Sequence, residues 1–200
     1  HGRTWASPPG RSIYLSIVLR LAPTVPVPPL TLAIGVGVCD AIRAEGVAAA
    51  ALKWPNDVLV AADGGWRKLA GVLCESTGDA VVVGIGVNVN GAVAELPPEL
   101  AARAATIGEL LGRWVDRDAF LERLLAELAP WIERYQAAGV AAIAPAWEAR
   151  MAAGLVVRTD RVTGVARGLD RDGALVVEAD GARHRVLAGE VEWKIGRASC

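Results

Sequence analysis

The sequence has few cysteines and no long apolar run. Its three cysteines, Cys39, Cys74 and Cys200, neither form an obvious pair nor show metal-ligand spacing. Because no signal peptide is visible, we expect a reducing, cytoplasmic environment. The longest apolar stretch, 30–39, stops at Asp40 and is far too short to cross a bilayer. These observations argue against a disulfide framework and against a membrane-spanning protein.

An excess of charge of one sign is also lacking. The chain has 21 Lys and Arg against 22 Asp and Glu, which gives a formal net charge of −1. Nucleic-acid binding relies on a basic surface, and this balance does not supply one. The sequence also contains no dense run of like charges, which would be typical of an interaction tail. We therefore expect no nucleic-acid partner for this chain.

Lysine and asparagine are rare, and most of them cluster. The only lysines are Lys53, Lys68 and Lys194, against 18 arginines, and the only asparagines are Asn56, Asn88 and Asn90. A lysine retained in a chain that favours arginine indicates a site that needs a compact ammonium rather than a planar guanidinium. Three of these rare residues lie between positions 53 and 68, so the cluster indicates a functional site.

The apolar pattern predicts an α+β protein with a mixed or antiparallel sheet. Helices are predicted at 30–42, with Gly46 as a plausible C-terminal stop, and at 121–139. Strands are predicted at 13–21, 50–53, 58–60, 68–75 and 80–89. The last three of these strands are joined by short turns, which does not fit a series of parallel strands with crossover helices. Pro130 should kink or break the second helix.

From 155 onward the pattern changes to short β runs with hairpin turns at Asp172-Gly173 and Asp180-Gly181. These runs predict a barrel-type β module of about forty residues, which should dock on the larger domain because it is too small to be very stable alone. We divide the chain into a larger domain at 1–152 and the module at 153–193. Residues 194–200 can be back-translated to contain a sequencing-adapter string, so we expect them to be a non-native tail.

The strongest motif is Lys53-Trp54-Pro55-Asn56-Asp57, a tight turn directly after a strand. Such a turn can offer a carboxylate to a cation and an amide to a nucleobase. An ordinary chain reversal is the alternative, but Lys and Trp placed directly before Pro-Asn-Asp favour a functional turn.

Two further segments carry the remaining candidates. Lys68 opens an apolar strand, and Gly71 lies where a side chain would obstruct a ligand on the sheet. An edge lysine that discourages strand aggregation is the alternative for Lys68. The run from Gly84 to Asn90 lacks the helix that a dinucleotide fingerprint needs, so its glycines indicate close approach of a flat ligand. A β-bulge is the alternative there.

These three motifs, in this order, resemble those of biotin–protein ligases. The opening Gly2-Arg3-x-Trp5 is similar to the end of the family's glycine- and arginine-rich loop, and the glycine pattern of 164–173 is similar to its SH3-like C-terminal module. The resemblance runs from His1 to about Trp193. It implies a class II synthetase-like catalytic domain over 1–152 and an SH3-like barrel over 153–193.

The resemblance implies that biotin and ATP form biotinyl-5'-AMP, which then acylates a lysine of a biotin carboxyl carrier protein or domain. It implies Lys68 and Asp57 as catalytic residues, with Lys68 between the biotin carboxylate and the α-phosphate and Asp57 beside a magnesium ion. It further implies a ligand-binding set, and it is compatible with a homodimer. That set is Arg3, Trp5, Lys53, Asn56, Gly71, Gly84, Gly86, Asn88 and Arg167.

The family's upstream biotin-binding segment and the core arginine of its glycine- and arginine-rich loop are not in this sequence. We therefore expect residues 1–200 alone to bind biotin poorly and to turn over slowly, which a normal rate of biotin-dependent pyrophosphate release would refute. Lipoate or octanoate ligases and transferases are a second interpretation, although they should lack the Lys53–Asp57 turn and the C-terminal module. A non-catalytic module that binds carrier proteins is a third, but it would not need the clustered Lys and Asn.

Overall fold

The computed structural model describes residues 9–22, 24–62, 65–152, 155–159, 162–187 and 192–195. Its strands are β1 (Ile13–Leu19), β2 (Ala50–Lys53), β3 (Asp57–Ala62), β4 (Gly65–Thr77), β5 (Ala80–Val87), β6 (Leu155–Arg158), β7 (Thr163–Leu169), β8 (Leu175–Ala179), β9 (Ala182–Val186) and β10 (Glu192–Ile195). Its helices are α1 (Leu30–Glu45), α2 (Pro98–Ala101), α3 (Ile107–Leu111), α4 (Arg117–Ala138) and α5 (Val140–Glu148), with a 3-10 turn at Val93–Glu95. The predicted α+β architecture is confirmed.

The first sheet has the order β1-β5-β4-β3-β2, and all its neighbouring strands are antiparallel. Residues alternate between its two faces, so Val83, Ile85 and Val87 of β5 are buried while the residues between them are partly open. Helix α1 packs on the buried face, and α4 packs against α1. The opposite face carries Tyr14 and Leu73, both about half exposed, and it also carries the glycines of β4 and β5.

Helix α1 follows a proline-rich loop and ends at Gly46, whose φ of 124° is strained for residues with a side chain. Helix α4 begins at the N-cap Asp116 and ends at Gly139. We predicted that Pro130 kinks or breaks this helix; the break does not occur, because α4 runs through Pro130. Pro130 lies on the solvent side, while the neighbouring turns bury Leu128 and Trp131, and this packing offsets the lost backbone hydrogen bond.

The second sheet has the order β10-β6-β7-β8-β9 and is also antiparallel. The backbone of β10 continues to Ile195, which pairs with Leu155. Buried residues of this sheet, including Leu175 and Val177, belong to the same hydrophobic cluster as the first sheet. The two sheets therefore share one core. Within the described residues, no helix is both long and apolar enough to span a membrane.

Candidate active site

The turn at 54–56 joins two paired strands and is tied to a third. Lys53 is the last residue of β2, Asp57 is the first of β3, and the two are cross-strand partners. The Trp54–Pro55 peptide bond is cis. Asn56 is fixed at both its backbone and its side chain, since Val72 N donates to Asn56 O (2.9 Å) and Asn56 Nδ2 donates to Val72 O (3.0 Å). These bonds hold the turn against the middle of β4.

Asp57 lies between two ammonium groups. Its Oδ1 is 2.5 Å from Lys68 Nζ, and its Oδ2 accepts a hydrogen bond from Lys53 Nζ at 3.0 Å. The Lys68 contact is an ion pair without the alignment of a hydrogen bond. The Lys53 and Asp57 side chains are largely enclosed, whereas the side chain of Lys68 is 45% exposed. Lys68 is therefore the cation that an incoming anion can reach.

A row of paired residues crosses the open face of the sheet at this point. Asp57 pairs with Gly71, Gly71 with Gly86, and Gly86 with Tyr14. A methyl group on Gly71 would lie 2.8 Å from Lys68 Nζ and 3.0 Å from its Cε. The side chain of Lys68 thus reaches Asp57 by crossing the space that Gly71 leaves empty. We predicted that Gly71 leaves room for a ligand, and in this structure the lysine occupies that room.

Gly84 lies two residues before Gly86 on the same face, opposite Leu73 of β4 and Ser16 of β1. A methyl group on Gly84 would come no closer than 3.8 Å to Leu73 O, which is an ordinary contact. Neither glycine places a side chain on this part of the face. The open face next to Lys68 can therefore accept a planar ligand.

The backbone of Lys68 is held on two sides. Asn88, just after β5, donates its Nδ2 to Lys68 O at 3.2 Å, and its backbone N donates to Leu69 O at 2.8 Å. From the other side, Lys68 N donates to Arg103 O (2.7 Å), and Ala105 N donates to Lys68 O (2.9 Å). Because the main chain is fixed, the position of the ammonium depends on its side chain alone.

Arg167 does not join this cluster. Arg167 lies on β7 and donates through Nε to Glu178 Oε2 at 2.9 Å, within the second sheet. Arg3 and Trp5 lie outside the described residues.

Asp57 does not fit its predicted role as a magnesium ligand in this arrangement. Both of its oxygens face an ammonium group. The part of the chain that the structure describes contains no group of three or more His, Cys, Asp and Glu that could hold a metal. The geometry of this cluster supports Asp57 as the charge partner of two lysines.

Sequence reasoning missed two features. Asn90 is structural, because its buried amide exchanges two hydrogen bonds with the backbone of Val115, at 2.8 and 2.9 Å. A groove of about 650 Å³ opens between the two sheets. Its walls include Asn56, Cys74 and Trp54, but not Lys68 or Asp57. Only the docking of the module creates this groove, so no local sequence signal could have indicated it.

The chain is similar to known proteins along nearly its whole length. Residues 1–91 match the model of the biotin/lipoate A/B protein ligase family, and residues 155–193 match the biotin protein ligase C-terminal domain. A biotin–[acetyl-CoA-carboxylase] ligase of Mycobacterium tuberculosis is 36% identical over 96% of this chain and 73% of its own length. The bifunctional ligase/repressor BirA of Escherichia coli is 31% identical over 95% of this chain, which spans only 61% of BirA.

Solved structures agree with the sequence matches. The biotin protein ligase of Aquifex aeolicus, in complex with biotin and ATP, superposes with a TM-score of 0.83 and 28% identity, over 98% of this chain and 83% of that one. The fold, with its two sheets, is therefore shared with that ligase over 83% of the ligase's length. By its family matches, its 36% identity to a ligase of which it covers 73%, and its fold, the chain belongs to the biotin protein ligase family.

Proposed function

We propose that the protein ligates biotin to a lysine of a biotin carboxyl carrier protein or domain, at the expense of ATP. In the first step a biotin carboxylate oxygen attacks the α-phosphorus of ATP, and pyrophosphate leaves with the electron pair of the broken P–O bond. In the second step the neutral ε-amine of the acceptor lysine attacks the acyl carbon, and AMP leaves. The amine proton passes to solvent. Because the reaction consumes ATP, we place it in the cytoplasm.

The observation that carries this proposal is the exposed ammonium of Lys68, held over Gly71 on an open sheet face. The first step brings a carboxylate against a polyphosphate, so negative charge accumulates between the two reactants. A fixed ammonium offsets that charge, and removing such a group typically slows a reaction by about 10²–10³-fold. Lys68 can turn toward the ligand without unfolding any backbone, because only its side chain has to move.

Asp57 and Lys53 support Lys68 in this proposal. When Lys68 turns toward the ligand, the largely buried carboxylate of Asp57 loses one of its two cations. A buried charge without any partner is costly. Lys53 Nζ stays 3.0 Å from Asp57 Oδ2 and leaves that charge compensated. Lys53 is thus proposed to act on Asp57 rather than directly on the ligand.

The other residues keep the ligand-binding roles that the resemblance implies, as proposals. Asn56 and Asn88 are placed at the nucleotide, Gly71, Gly84 and Gly86 beneath biotin, and Arg3, Trp5 and Arg167 near the adenylate. Magnesium is proposed to arrive with the ATP phosphates, since Mg²⁺ sites often consist of substrate phosphates and very few protein carboxylates.

Transfer of biotin to a carrier domain tests this proposal in the full-length protein that contains residues 1–200. We expect a mass increase of one biotinyl group on the carrier, only when both biotin and ATP are present. A lipoate ligase would instead modify a lipoyl domain with lipoate. The match of 155–193 to the biotin protein ligase C-terminal domain favours biotin. Carrier that stays unmodified, or that is modified with lipoate but not with biotin, would contradict the proposal.

A further inference from the structure

One buried hydrogen bond joins the active-site turn to the second sheet. Trp54 Nε1 donates to Gly173 O at 3.0 Å, between residues 119 positions apart. Trp54 is only 4% exposed, and it lies between Lys53 and the Asn56-Asp57 pair. A buried carbonyl that loses its donor pays the cost of desolvation, so this bond favours one position of the turn.

The acceptor end of this bond is rigid. Gly173 has a φ of 85°, and a methyl group on it would lie 3.0 Å from Leu32 Cδ1 and 3.1 Å from Pro29 Cβ. Gly173 N donates to Asp170 O at 3.0 Å, which closes the hairpin turn between β7 and β8. Arg185 of β9 forms ion pairs with both acidic residues of that turn, Asp170 and Asp172. The second sheet therefore holds the Gly173 carbonyl in a fixed place.

The donor end leads directly to the charged cluster. Trp54 follows Lys53. Two residues later, Asn56 forms hydrogen bonds to the backbone of Val72 with both its own backbone and its side chain. Asp57 then begins β3 with both oxygens on ammonium groups. A shift of Trp54 would move Lys53 and Asp57 together, because the turn between them has only three residues.

We infer that Trp54 is a positioning residue through which the C-terminal module sets the geometry of the Lys53–Asp57–Lys68 cluster. The inference rests on the proposed function for its kinetic consequence, but its structural part is independent of that function. In the first step of the reaction, the module would thus help to position the charged cluster through a backbone carbonyl, without placing any side chain at the ligand. The contact is a single N–H···O bond, so replacing the indole by an aromatic side chain without an N–H tests it.

Trp54→Phe removes the indole N–H, together with the rest of the five-membered ring, and keeps a six-membered aromatic ring at this position. In the full-length protein we expect kcat for biotin-dependent pyrophosphate release to fall about tenfold, as expected when one buried carbonyl loses its partner. The loss should fall on kcat more than on KM, because the charged cluster is needed most in the transition state. In a Lys68→Ala background, Trp54→Phe should cause no further loss beyond about twofold, since both changes act on one group.

Two controls separate positioning from general loosening. Trp114→Phe alters a tryptophan that is 66% exposed and should leave kcat within about twofold of the parent value. Glu148→Ala removes a different bond between the larger domain and the second sheet, in which Leu169 N of β7 donates to Glu148 Oε1 of α5 at 2.9 Å. It should lower stability but leave kcat nearly unchanged. If Glu148→Ala lowers kcat as much as Trp54→Phe, or if Trp54→Phe and Lys68→Ala are additive, the inference is overturned.

Hydrogen exchange tests the coupling even if the protein is not a biotin ligase. The amide of Val72 donates to Asn56 O in the turn. We expect Trp54→Phe to speed exchange at Val72 about fivefold or more, while Trp114→Phe leaves it unchanged. Unchanged protection of Val72 in Trp54→Phe would overturn the coupling itself. A parent protein that releases no pyrophosphate but shows the exchange effect would refute the proposed function alone.

Discussion

The substitution Gly71→Ala should disable the site while leaving the fold intact. The added methyl group would lie 2.8 Å from Lys68 Nζ, 3.0 Å from Lys68 Cε and 3.6 Å from Asp57 Oδ1. An ordinary contact begins at 3.4 Å, so the ammonium must retreat by about 0.6 Å or leave its present path over the strand. The atoms in conflict are the end of a flexible side chain, so the backbone does not have to move.

The expected effects on stability and on rate are therefore very different. Lys68 is 45% exposed, and a pair of this kind contributes at most about 1 kcal/mol to folding. Replacing a strand glycine by alanine stabilises the folded state by about 0.5–1 kcal/mol, which offsets the lost ion pair. The free energy of unfolding should therefore change little. For catalysis, a misplacement approaching 1 Å typically costs about 10²-fold, and we expect kcat for biotinyl-AMP formation to fall by about 10- to 100-fold.

Biotin-dependent exchange of pyrophosphate into ATP, together with urea unfolding, measures both quantities. The matched control is Gly35→Ala, whose methyl group would lie 3.6 Å from Leu52 Cδ2, an ordinary contact on the far side of the sheet. The control should keep normal exchange. A Gly71→Ala protein that folds normally and exchanges pyrophosphate at the parent rate would refute the argument that Lys68 needs the space above this glycine.

Two further predictions concern residues outside the charged cluster. Asn90→Ala should lower the free energy of unfolding by about 2–3 kcal/mol, because it leaves the buried N–H and C=O of Val115 without partners; equal unfolding midpoints in urea would contradict this. Burial raises the pKa of the Cys39 thiol to about 11, so its thiolate is scarce at pH 8 and iodoacetamide should label it only after unfolding. Peptide mass spectrometry measures the labelling, and modification of Cys39 in the native protein as fast as in urea would show that the thiol is not enclosed.

Short-range patterns were sufficient to predict much of the architecture. Alternation of apolar residues indicated β1 and β5, and α1 ends at the glycine that the sequence indicated. The exception was Pro130, where local propensity predicted a kink or a break and the helix does not break. The buried stripe of α4 packs against α1, and this long-range packing outweighs one missing hydrogen bond.

The site was only partly predictable. Rarity and motif spacing indicated Lys68, Asp57 and Gly71, which the structure brings together. The sequence could not show that Lys68 lies across Gly71, because that depends on the register between β3 and β4 and on a lysine rotamer. The bond between Trp54 and Gly173 joins residues 119 positions apart, and nothing local in either segment indicates it.

The central claim is that the ammonium of Lys68 promotes activation of biotin by ATP. The most direct test compares biotin-dependent ATP–pyrophosphate exchange in the parent full-length protein, in Lys68→Ala and in Arg20→Ala, which removes a cation that is 76% exposed. We predict a loss of about 10²–10³-fold for Lys68→Ala, with an unchanged unfolding midpoint, and parent activity for Arg20→Ala. Exchange by Lys68→Ala within about twofold of the parent rate would contradict the claim.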